Sequence, residues 1–328
     1  MEIDKQQIRM TYKSKDTEEH IDMYFNRPIG YAWARLFKHF GIHPNVVTFM
    51  SMILGAAAGC MFYYPDFAHN IAGVLLLMWA NFYDSCDGQL ARMTGKQTEW
   101  GRVLDGFAGD VWFFFIYFAI FFRVFNQTIP FTDIRFGWGF LVFGMLDGYF
   151  CHACQSRLAD YYRNIHLFFV PGATSELATS ARQQKVLDDT PKKGNFLWRF
   201  ALLNYVSYTK AQEKATPEFQ KLLKYVLKKY DGKPNEAFRQ EFRRRSLPLM
   251  KYTNILTFNW RAITIYVTCL LNVPWAYIVI EAVVSTSIYL YMRHEHESMS
   301  KDMLRRLQNG DFDTAEACTD GKPGLTEA

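Results

Sequence analysis

Long apolar segments alternate with polar ones along this chain. Six of the apolar segments are close to the length of about 20 residues that an α-helix needs to cross a bilayer. They cover residues 46–64, 71–91, 103–125, 136–155, 253–272 and 275–292. The pattern therefore predicts six transmembrane helices.

A shorter amphipathic segment, residues 18–40, precedes the first apolar run. Its apolar residues recur at helical spacing, with Arg35 and Lys38 between them. This pattern is typical of a helix that lies in the membrane interface. Pro28 and Gly30 interrupt the pattern, so we expect only a short helix there. Residues 41–45 then turn the chain into the first span.

The segment 158–250 is too polar to cross a membrane and separates the fourth span from the fifth. Within it, residues 215–230 and 235–245 have the periodicity of helices. The first of these predicted helices has an apolar face made of Phe219, Leu222, Leu223, Val226 and Leu227. We expect a helical cap on the cytosolic side, and an acidic tail after residue 308 that is partly disordered.

The predicted fold is therefore an all-α integral membrane protein with five regions. These are a cytosolic N-terminus with the interfacial helix (1–45), helices 1–4 (46–157), a basic cytosolic helical insertion (158–250), helices 5–6 (251–294) and a cytosolic tail (295–328).

Composition and charge support a membrane protein. Half of the 328 residues are hydrophobic and 17% are aromatic, yet the mean hydropathy is −0.12. The net charge is +5, and residues 158–250 hold 17 Lys and Arg against 9 Asp and Glu. A basic block beside apolar spans favours an anionic membrane surface or a phosphorylated substrate over nucleic acid.

The distribution of positive residues also predicts the orientation of the spans. Residues 64–70 and 272–274 contain no Lys or Arg, whereas the opposite loops and both termini do. Positively charged loops stay in the cytosol, so we expect both termini there. The N-terminus lacks the pattern of a signal peptide. We expect a bacterial cytoplasmic membrane with the active site facing the cytosol.

The six cysteines do not form a convincing metal or redox motif. Cys151 and Cys154 have CxxC spacing, but no second pair accompanies them and they lie in an apolar segment. Small residues that pack between membrane helices are the better interpretation.

Acidic residues at the junction of the second and third spans are the strongest chemical signal. Asp84, Asp87, Asp105 and Asp110 lie within one short stretch. Carboxylates inside apolar spans are costly unless something balances them. Asp84 and Asp87 share one helix face with two small residues, Gly88 and Ala91. Clustered oxygen ligands suit Mg²⁺ or Mn²⁺, so the pattern predicts a divalent metal site.

The order of these residues resembles the signature of the CDP-alcohol phosphatidyltransferases, D-x2-D-G-x2-A-R-x8-G-x3-D-x3-D. The positions that match it are Asp84, Asp87, Gly88, Ala91, Arg92, Gly101 and Asp105. The six-span pattern and the run Pro44-Asn45-Val-Val-Thr48 are also similar to the family. The resemblance covers about residues 27–155 and does not extend to the basic block.

This resemblance implies a metal-dependent enzyme that displaces CMP from a CDP-activated molecule in phospholipid synthesis. It implies that the aspartates bind the metal, and that Asp84, Gly88, Ala91, Arg92 and Gly101 bind the CDP group. Homodimers are common in the family, so a homodimer is expected.

One position departs from the signature. The fourth aspartate should stand at position 109, but the chain has Gly109 followed by Asp110. On a regular helix, position 109 is about 40° from Asp105 around the axis and Asp110 is about 140° from it. We expect a π-bulge near Gly106 and Gly109 to turn Asp110 inward, where it would complete the metal site and act as the catalytic base with Asp105. Otherwise three aspartates bind the metal and the base lies elsewhere.

The acceptor alcohol is less well defined. The resemblance places its pocket near the fourth and fifth spans, where Arg157, Arg163, Asn259 and Arg261 are candidate ligands. These basic groups favour inositol or inositol phosphate as acceptor, with CDP-diacylglycerol as donor. One alternative is transfer of a choline or ethanolamine head group from its CDP derivative to diacylglycerol or ceramide. Another is a membrane protein that has lost activity at Gly109, or a transporter.

Overall fold

The computed structural model describes residues 16–170 and 177–312, and within these ranges the chain is helical apart from its connections. The one β-type pairing there is an isolated bridge between Thr128 and Arg135. The chain forms two compact units. The first contains the residues up to 156 together with 254–286, and the second contains 157–253 together with 287–328. The prediction of an all-α protein is confirmed.

Fourteen α-helices are present in the described ranges. In the first part of the chain they are α1 (Arg27–His39), α2 (Pro44–Phe62), α3 (Phe67–Thr94), α4 (Glu99–Val124), α5 (Gly137–Leu146) and α6 (Ala153–Phe169). Then follow α7 (Ser180–Asp189), α8 (Phe196–Ala215), α9 (Pro217–Tyr230), α10 (Glu236–Ser246) and α11 (Met250–Ile255). The last three are α12 (Phe258–Leu270), α13 (Trp275–Ile280) and α14 (Thr286–Gln308).

Short π-helical turns join several of these helices into longer rods. Asp22–Asn26 leads into α1, Asp147–His152 links α5 to α6, and Glu281–Ser285 links α13 to α14. A 3₁₀ turn, Leu247–Leu249, joins α10 to α11.

Three helices of the described chain are long and apolar enough to cross a membrane: Pro44–Phe62, Trp100–Val124 and Trp275–Gln308. Large apolar side chains on them, such as Phe49, Phe114 and Val283, are exposed at the protein surface, as contact with lipid requires. The other three predicted spans are not among these long apolar helices. The fourth contains a π-helical turn, and the fifth is interrupted between α11 and α12.

The interfacial segment differs from its prediction in one respect. Pro28 and Gly30 do not interrupt α1. Pro28 lies in the first turn of α1, directly after the π-helical turn Asp22–Asn26, so its missing N–H falls at the junction of the two helical segments. Gly30 is the point of contact with α3, because a Cβ there would lie 2.9 Å from Ser85 Oγ. A helix of 13 residues is therefore present where a short amphipathic helix was predicted, and its place in the membrane interface stays a prediction.

Glycines let α2, α3 and α4 approach one another closely in the core of the first unit. A Cβ on Gly55 of α2 would lie 2.0 Å from Cδ1 of Trp112 on α4, and one on Gly59 would lie 2.6 Å from Cβ of Phe115. Trp112 is buried, and its Nε1 donates a hydrogen bond of 2.9 Å to the carbonyl oxygen of Ser51. The indole ring thus fills the space that the glycines leave open.

Arg123, in the last turn of α4, connects this helix with its neighbours. Its guanidinium is buried and donates to the carbonyl oxygens of Phe62 (2.9 Å) and Cys269 (3.2 Å). It also donates to Oδ1 of Asn70 (2.8 Å) and Asn272 (2.7 Å). A buried charge needs acceptors of this kind, and only Nε of Arg123 lacks one among the described residues, so Arg123 fixes the positions of α2, α3, α4 and α12 at this end.

The second unit has an aromatic core. The ring of Phe169, at the end of α6, contacts Phe219, Phe238 and Phe242 from α9 and α10. The apolar face predicted for residues 215–230 is buried except for Leu227, which is exposed. The predicted tail lies outside the described residues beyond position 312, as do residues 1–15.

Charged residues on the surface of this unit form a local network. Arg244, Arg245 and Arg306 all donate to the carboxylate of Glu241. The hydrogen bond from Arg244 contributes most to holding the pKa of Glu241 at about 2.

The glycine contacts give a prediction about stability. Gly55→Ala should lower the unfolding free energy by about 1–3 kcal/mol, because the added methyl group overlaps the buried ring of Trp112. Thermal unfolding in detergent, followed by circular dichroism, measures this change.

Gly106→Ala is the matched control, since a Cβ at this position of α4 meets nothing within 4 Å. It should leave stability unchanged or raise it by up to about 1 kcal/mol through better helix propensity. Equal losses for the two variants would contradict the packing described for Gly55.

Candidate active site

Asp84, Asp87 and Asp105 come together where α3 turns back into α4. α3 ends at Gly95, whose φ of 67° allows a left-handed cap, and Thr98 caps α4 by accepting a 2.9 Å hydrogen bond from the N–H of Gly101. This short connection places the second turn of α4 beside the last turns of α3. One carboxylate oxygen from each aspartate lies within 4.8 Å of the others.

The three carboxylates differ in burial. Asp87 is buried, with 2% of its surface exposed, and the hydroxyl of Thr48 on α2 donates a short hydrogen bond to its Oδ2. Asp84 is half-buried and Asp105 is exposed. The cluster is thus held firmly at Asp87 and open to solvent at Asp105.

Thr48 was not identified as a site residue from the sequence. Its position in the run Pro44-Asn45-Val-Val-Thr48 was the available signal, because that run was already part of the family resemblance. The short hydrogen bond shows that α2 supports the acidic cluster directly.

The donor set fits a divalent metal ion. Three carboxylates so close together repel one another, and a hard cation such as Mg²⁺ or Mn²⁺ relieves that repulsion with the oxygen ligands it prefers. Asp84, Asp87 and Asp105 are the residues that would hold it.

Arg92 lies on α3 one turn after Gly88, the glycine that follows Asp87. A Cβ on Gly88 would lie 3.5 Å from Nη1 of Arg92, so the guanidinium covers the glycine. Nε and Nη2 of Arg92 are buried without a hydrogen-bond partner among the described residues. Buried donors of this kind are suited to an anionic ligand such as a phosphate.

Gly101 marks another close approach. A Cβ there would lie 3.3 Å from Oδ1 of Asn45, at the start of α2. Ala91, the other small residue of the signature, is half-buried on α3.

Asp110 does not belong to the carboxylate group. The chain is regular α-helix throughout Glu99–Val124, so the expected π-bulge near Gly106 and Gly109 is absent, and that expectation was wrong. Asp110 therefore points about 140° away from Asp105 around the helix axis. A Cβ on Gly109 meets nothing within 4 Å, so this position has room for a side chain.

Two of the predicted acceptor ligands lie on α12 but contact different groups. The side-chain amide of Asn259 donates to Oε2 of Glu19 (3.0 Å) and to Oδ1 of Asp22 (2.9 Å). Its oxygen accepts hydrogen bonds from Asn26 (3.2 Å) and Asn81 (3.4 Å). Asn259 thus holds the segment that precedes α1.

Arg261 belongs to a second buried cluster. It forms a 3.0 Å ion pair with Oε1 of Glu281, donates a 2.9 Å hydrogen bond to Gln155, and contacts Nδ1 of His152. Glu281 also accepts from the hydroxyl of Tyr117. The guanidinium is only 4% exposed and is already compensated inside the protein.

The other two predicted acceptor ligands, Arg157 and Arg163, lie on α6 in the second unit. The guanidinium of Arg157 stacks on the ring of Tyr208, 5.3 Å from its centroid. Asn259 and Arg261 therefore do not share partners, and Arg157 has a separate contact of its own.

The acids of the Arg261 cluster were not predicted from the sequence. Asp147 and Glu281 are both buried, each begins a π-helical turn, and both interact with the hydroxyl of Tyr117. Their positions inside the fourth and sixth predicted spans were a usable signal, because acids in apolar spans need partners.

Part of the chain matches a known family. Residues 41–165 match the family model described as CDP-alcohol phosphatidyltransferase. The chain contains a CDP-alcohol phosphatidyltransferase domain. Members of this family transfer substituted phosphate groups. The resemblance drawn from the signature is confirmed, and the apolar helices together with the family indicate an integral membrane protein.

A curated relative is the archaetidylinositol phosphate synthase of Pyrococcus horikoshii. It is 38% identical to this chain over 65 residues, which are 20% of this chain. The match spans 33% of the length of that relative. All three clustered carboxylates, Thr48 and Arg92 lie in the CDP-alcohol phosphatidyltransferase domain.

The geometry of the domain predicts metal binding that can be measured without any substrate. Mg²⁺ or Mn²⁺ should raise the apparent unfolding temperature of the purified protein. At a metal concentration of 100 times the dissociation constant, binding adds about 2.7 kcal/mol to the free energy of unfolding. Asp87→Asn should remove this shift, because it replaces a clustered ligand.

Asp110→Asn is the matched control and should keep the shift, since Asp110 is outside the group. Loss of the shift in Asp110→Asn, or its persistence in Asp87→Asn, would overturn the three-carboxylate assignment.

Proposed function

We propose that this protein is a CDP-alcohol phosphatidyltransferase that displaces CMP from CDP-diacylglycerol by a polar alcohol in phospholipid synthesis. The observation that carries the proposal is the grouping of Asp84, Asp87 and Asp105, three signature residues whose oxygens lie within 4.8 Å of one another. A bound Mg²⁺ or Mn²⁺ would neutralise the diphosphate and the charge that develops on CMP.

The residues of the domain would act on the substrates as follows. Arg92 would donate its buried, unpartnered N–H groups to the diphosphate. Asp84, Gly88, Ala91 and Gly101 would bind the rest of the CDP group beside this guanidinium, which covers Gly88. The hydroxyl oxygen of the acceptor would then form a bond to the phosphatidyl phosphorus as the phosphorus–oxygen bond to CMP breaks.

The proton of that hydroxyl needs a base. We assign this role to Asp105, because it is the exposed member of the cluster and an incoming alcohol can approach it. Asp110 remains the alternative base, and it would have to move around the helix to reach the same point.

The proposed topology is six spans with both termini in the cytosol and the active site on the cytosolic side of a bacterial inner membrane. The three long apolar helices and the distribution of Lys and Arg support it. In this proposal the protein is a homodimer, as is common in the family.

The proposed acceptor is inositol or an inositol phosphate. The name of the Pyrococcus horikoshii relative, a synthase of archaetidylinositol phosphate, supports this choice. The assignment of Arg157, Arg163, Asn259 and Arg261 as acceptor ligands stays a prediction from the sequence. Because Asn259 and Arg261 already have protein partners, we expect them to act by holding neighbouring groups in place.

The activity itself can be tested by CMP release. Purified protein in lipid micelles with Mg²⁺ or Mn²⁺ and CDP-diacylglycerol should release CMP with inositol or inositol phosphate. Glycerol phosphate and serine should give much less. Asp87→Asn should reduce the rate to background, because a metal ligand is lost.

Absence of CMP release with all four of these alcohols would contradict the proposed donor and favour CDP-choline or CDP-ethanolamine with a lipid acceptor. Absence of CMP release with those donors as well would indicate an activity lost at Gly109.

The two candidate bases can be separated by substitution. Asp105→Asn should lower the rate of CMP release by at least about 10²-fold, as expected for loss of a general base. Asp110→Asn should leave nearly normal turnover, since Asp110 lies outside the cluster.

Gly109→Asp, added to the Asp110→Asn variant, tests whether a carboxylate at position 109 can act as the base. Position 109 has open space and lies about 40° from Asp105 around the helix axis. If Asp110→Asn is inactive and Gly109→Asp restores activity to it, then Asp110 is the base and our assignment to Asp105 is wrong.

A further inference from the structure

Helix α8 of the second unit presents an apolar stripe to the outside. Phe196, Phe200 and Leu203 are spaced by four and three residues and therefore lie on one face of the helix. They are 77%, 59% and 52% exposed. On the other side of the helix, Leu202 and Val206 pack against Leu187 of α7. The inner face of α8 is thus buried against α7, and the exposed stripe is a second apolar surface of the same helix.

The neighbouring helix α9 shows that such exposure is not general in this unit. Its apolar face is buried apart from Leu227: Phe219, Leu222 and Val226 have no exposed surface. Lysines such as Lys224 occupy its outer face. Three large apolar side chains on one exposed face mark an interaction surface, because burying them is favourable.

The charge around the stripe indicates what covers it. Residues 180–215, which contain α7 and α8, hold seven Lys and Arg against three Asp and Glu. Lys192 and Lys193 are exposed and precede the helix, from which Gly194 and Asn195 separate them. Aromatic and aliphatic residues flanked by lysines are typical of helices that lie in the interface of an anionic bilayer.

Connectivity keeps such a surface close to a bilayer. The apolar helix Trp275–Gln308, which is long enough to cross a membrane, continues into the second unit as α14. The unit is therefore tethered to the membrane, and even a weak contact with lipid benefits from a high effective concentration.

We propose that α8 docks on the surface of an anionic lipid bilayer. Phe196, Phe200 and Leu203 enter the headgroup region, and Lys192 and Lys193 contact lipid phosphates. This docking holds the basic segment against the membrane and does not depend on the catalytic activity proposed above.

Spin labelling measures the docking directly. The six cysteines are replaced, a single cysteine is placed at Asn204, which is exposed beside the stripe, and a nitroxide is attached. The full-length protein is reconstituted in nanodiscs that contain phosphatidylglycerol. The nitroxide should become more accessible to oxygen and less accessible to a water-soluble nickel complex than a label at Lys224, the exposed control position on α9.

Two results would overturn the proposal. The label at position 204 would be as accessible to nickel as the label at 224 if the stripe faced water. Spin–spin broadening at 204 without a change in oxygen accessibility would show that a second copy of the chain covers the stripe instead.

Substitutions separate the apolar and electrostatic parts. Phe200→Ser with Leu203→Ser should return the label at position 204 to water. Because these two side chains are exposed, the fold should persist, and circular dichroism would verify this. Lys192→Ala with Lys193→Ala should lower the ratio of docked to free α8 by about 25-fold, since each lysine near an anionic surface contributes about fivefold. An unchanged ratio, or equal docking on phosphatidylcholine alone, would show that anionic lipid is not the partner.

Discussion

The close approach of α2 to α4 is the constraint on which the first unit depends. It is possible only because Gly55 and Gly59 carry no side chain where Trp112 and Phe115 pack against them. Membrane helices gain little from the hydrophobic effect between them, so tight contacts at small residues are a main source of association. Once α2 lies this close to the other helices, Thr48 reaches the carboxylate of Asp87.

The acidic cluster follows from this packing and from a short connection. α3 contributes Asp84 and Asp87 one turn apart, and the four residues between α3 and α4 bring Asp105 back beside them. Burial of Asp87 and exposure of Asp105 give the cluster an anchored side and an open side. That asymmetry suits a site where a metal is held and a water-soluble alcohol arrives.

Buried charges elsewhere in the unit have protein partners. Arg123 satisfies four acceptors at one end of the helices, and Arg261 is paired with Glu281 within the apolar segments. An uncompensated charge in such surroundings is costly, so these groups fix the helix positions. Each of these two guanidinium groups leaves only its Nε without a partner among the described residues, whereas Arg92 leaves both Nε and Nη2 buried and unpartnered there, and therefore available to an anion.

The sequence alone determined the helical class, the family and the identity of the clustered carboxylates. Apolar segment length, helical spacing and a long signature are local properties of the chain, which is why Asp84, Asp87 and Asp105 could be predicted. Only the tertiary structure decided what depends on contacts between distant segments. Thr48 supports Asp87 across helices, Arg261 pairs with Glu281, and α4 stays regular past Gly109, because packing between helices sets partners and helix geometry.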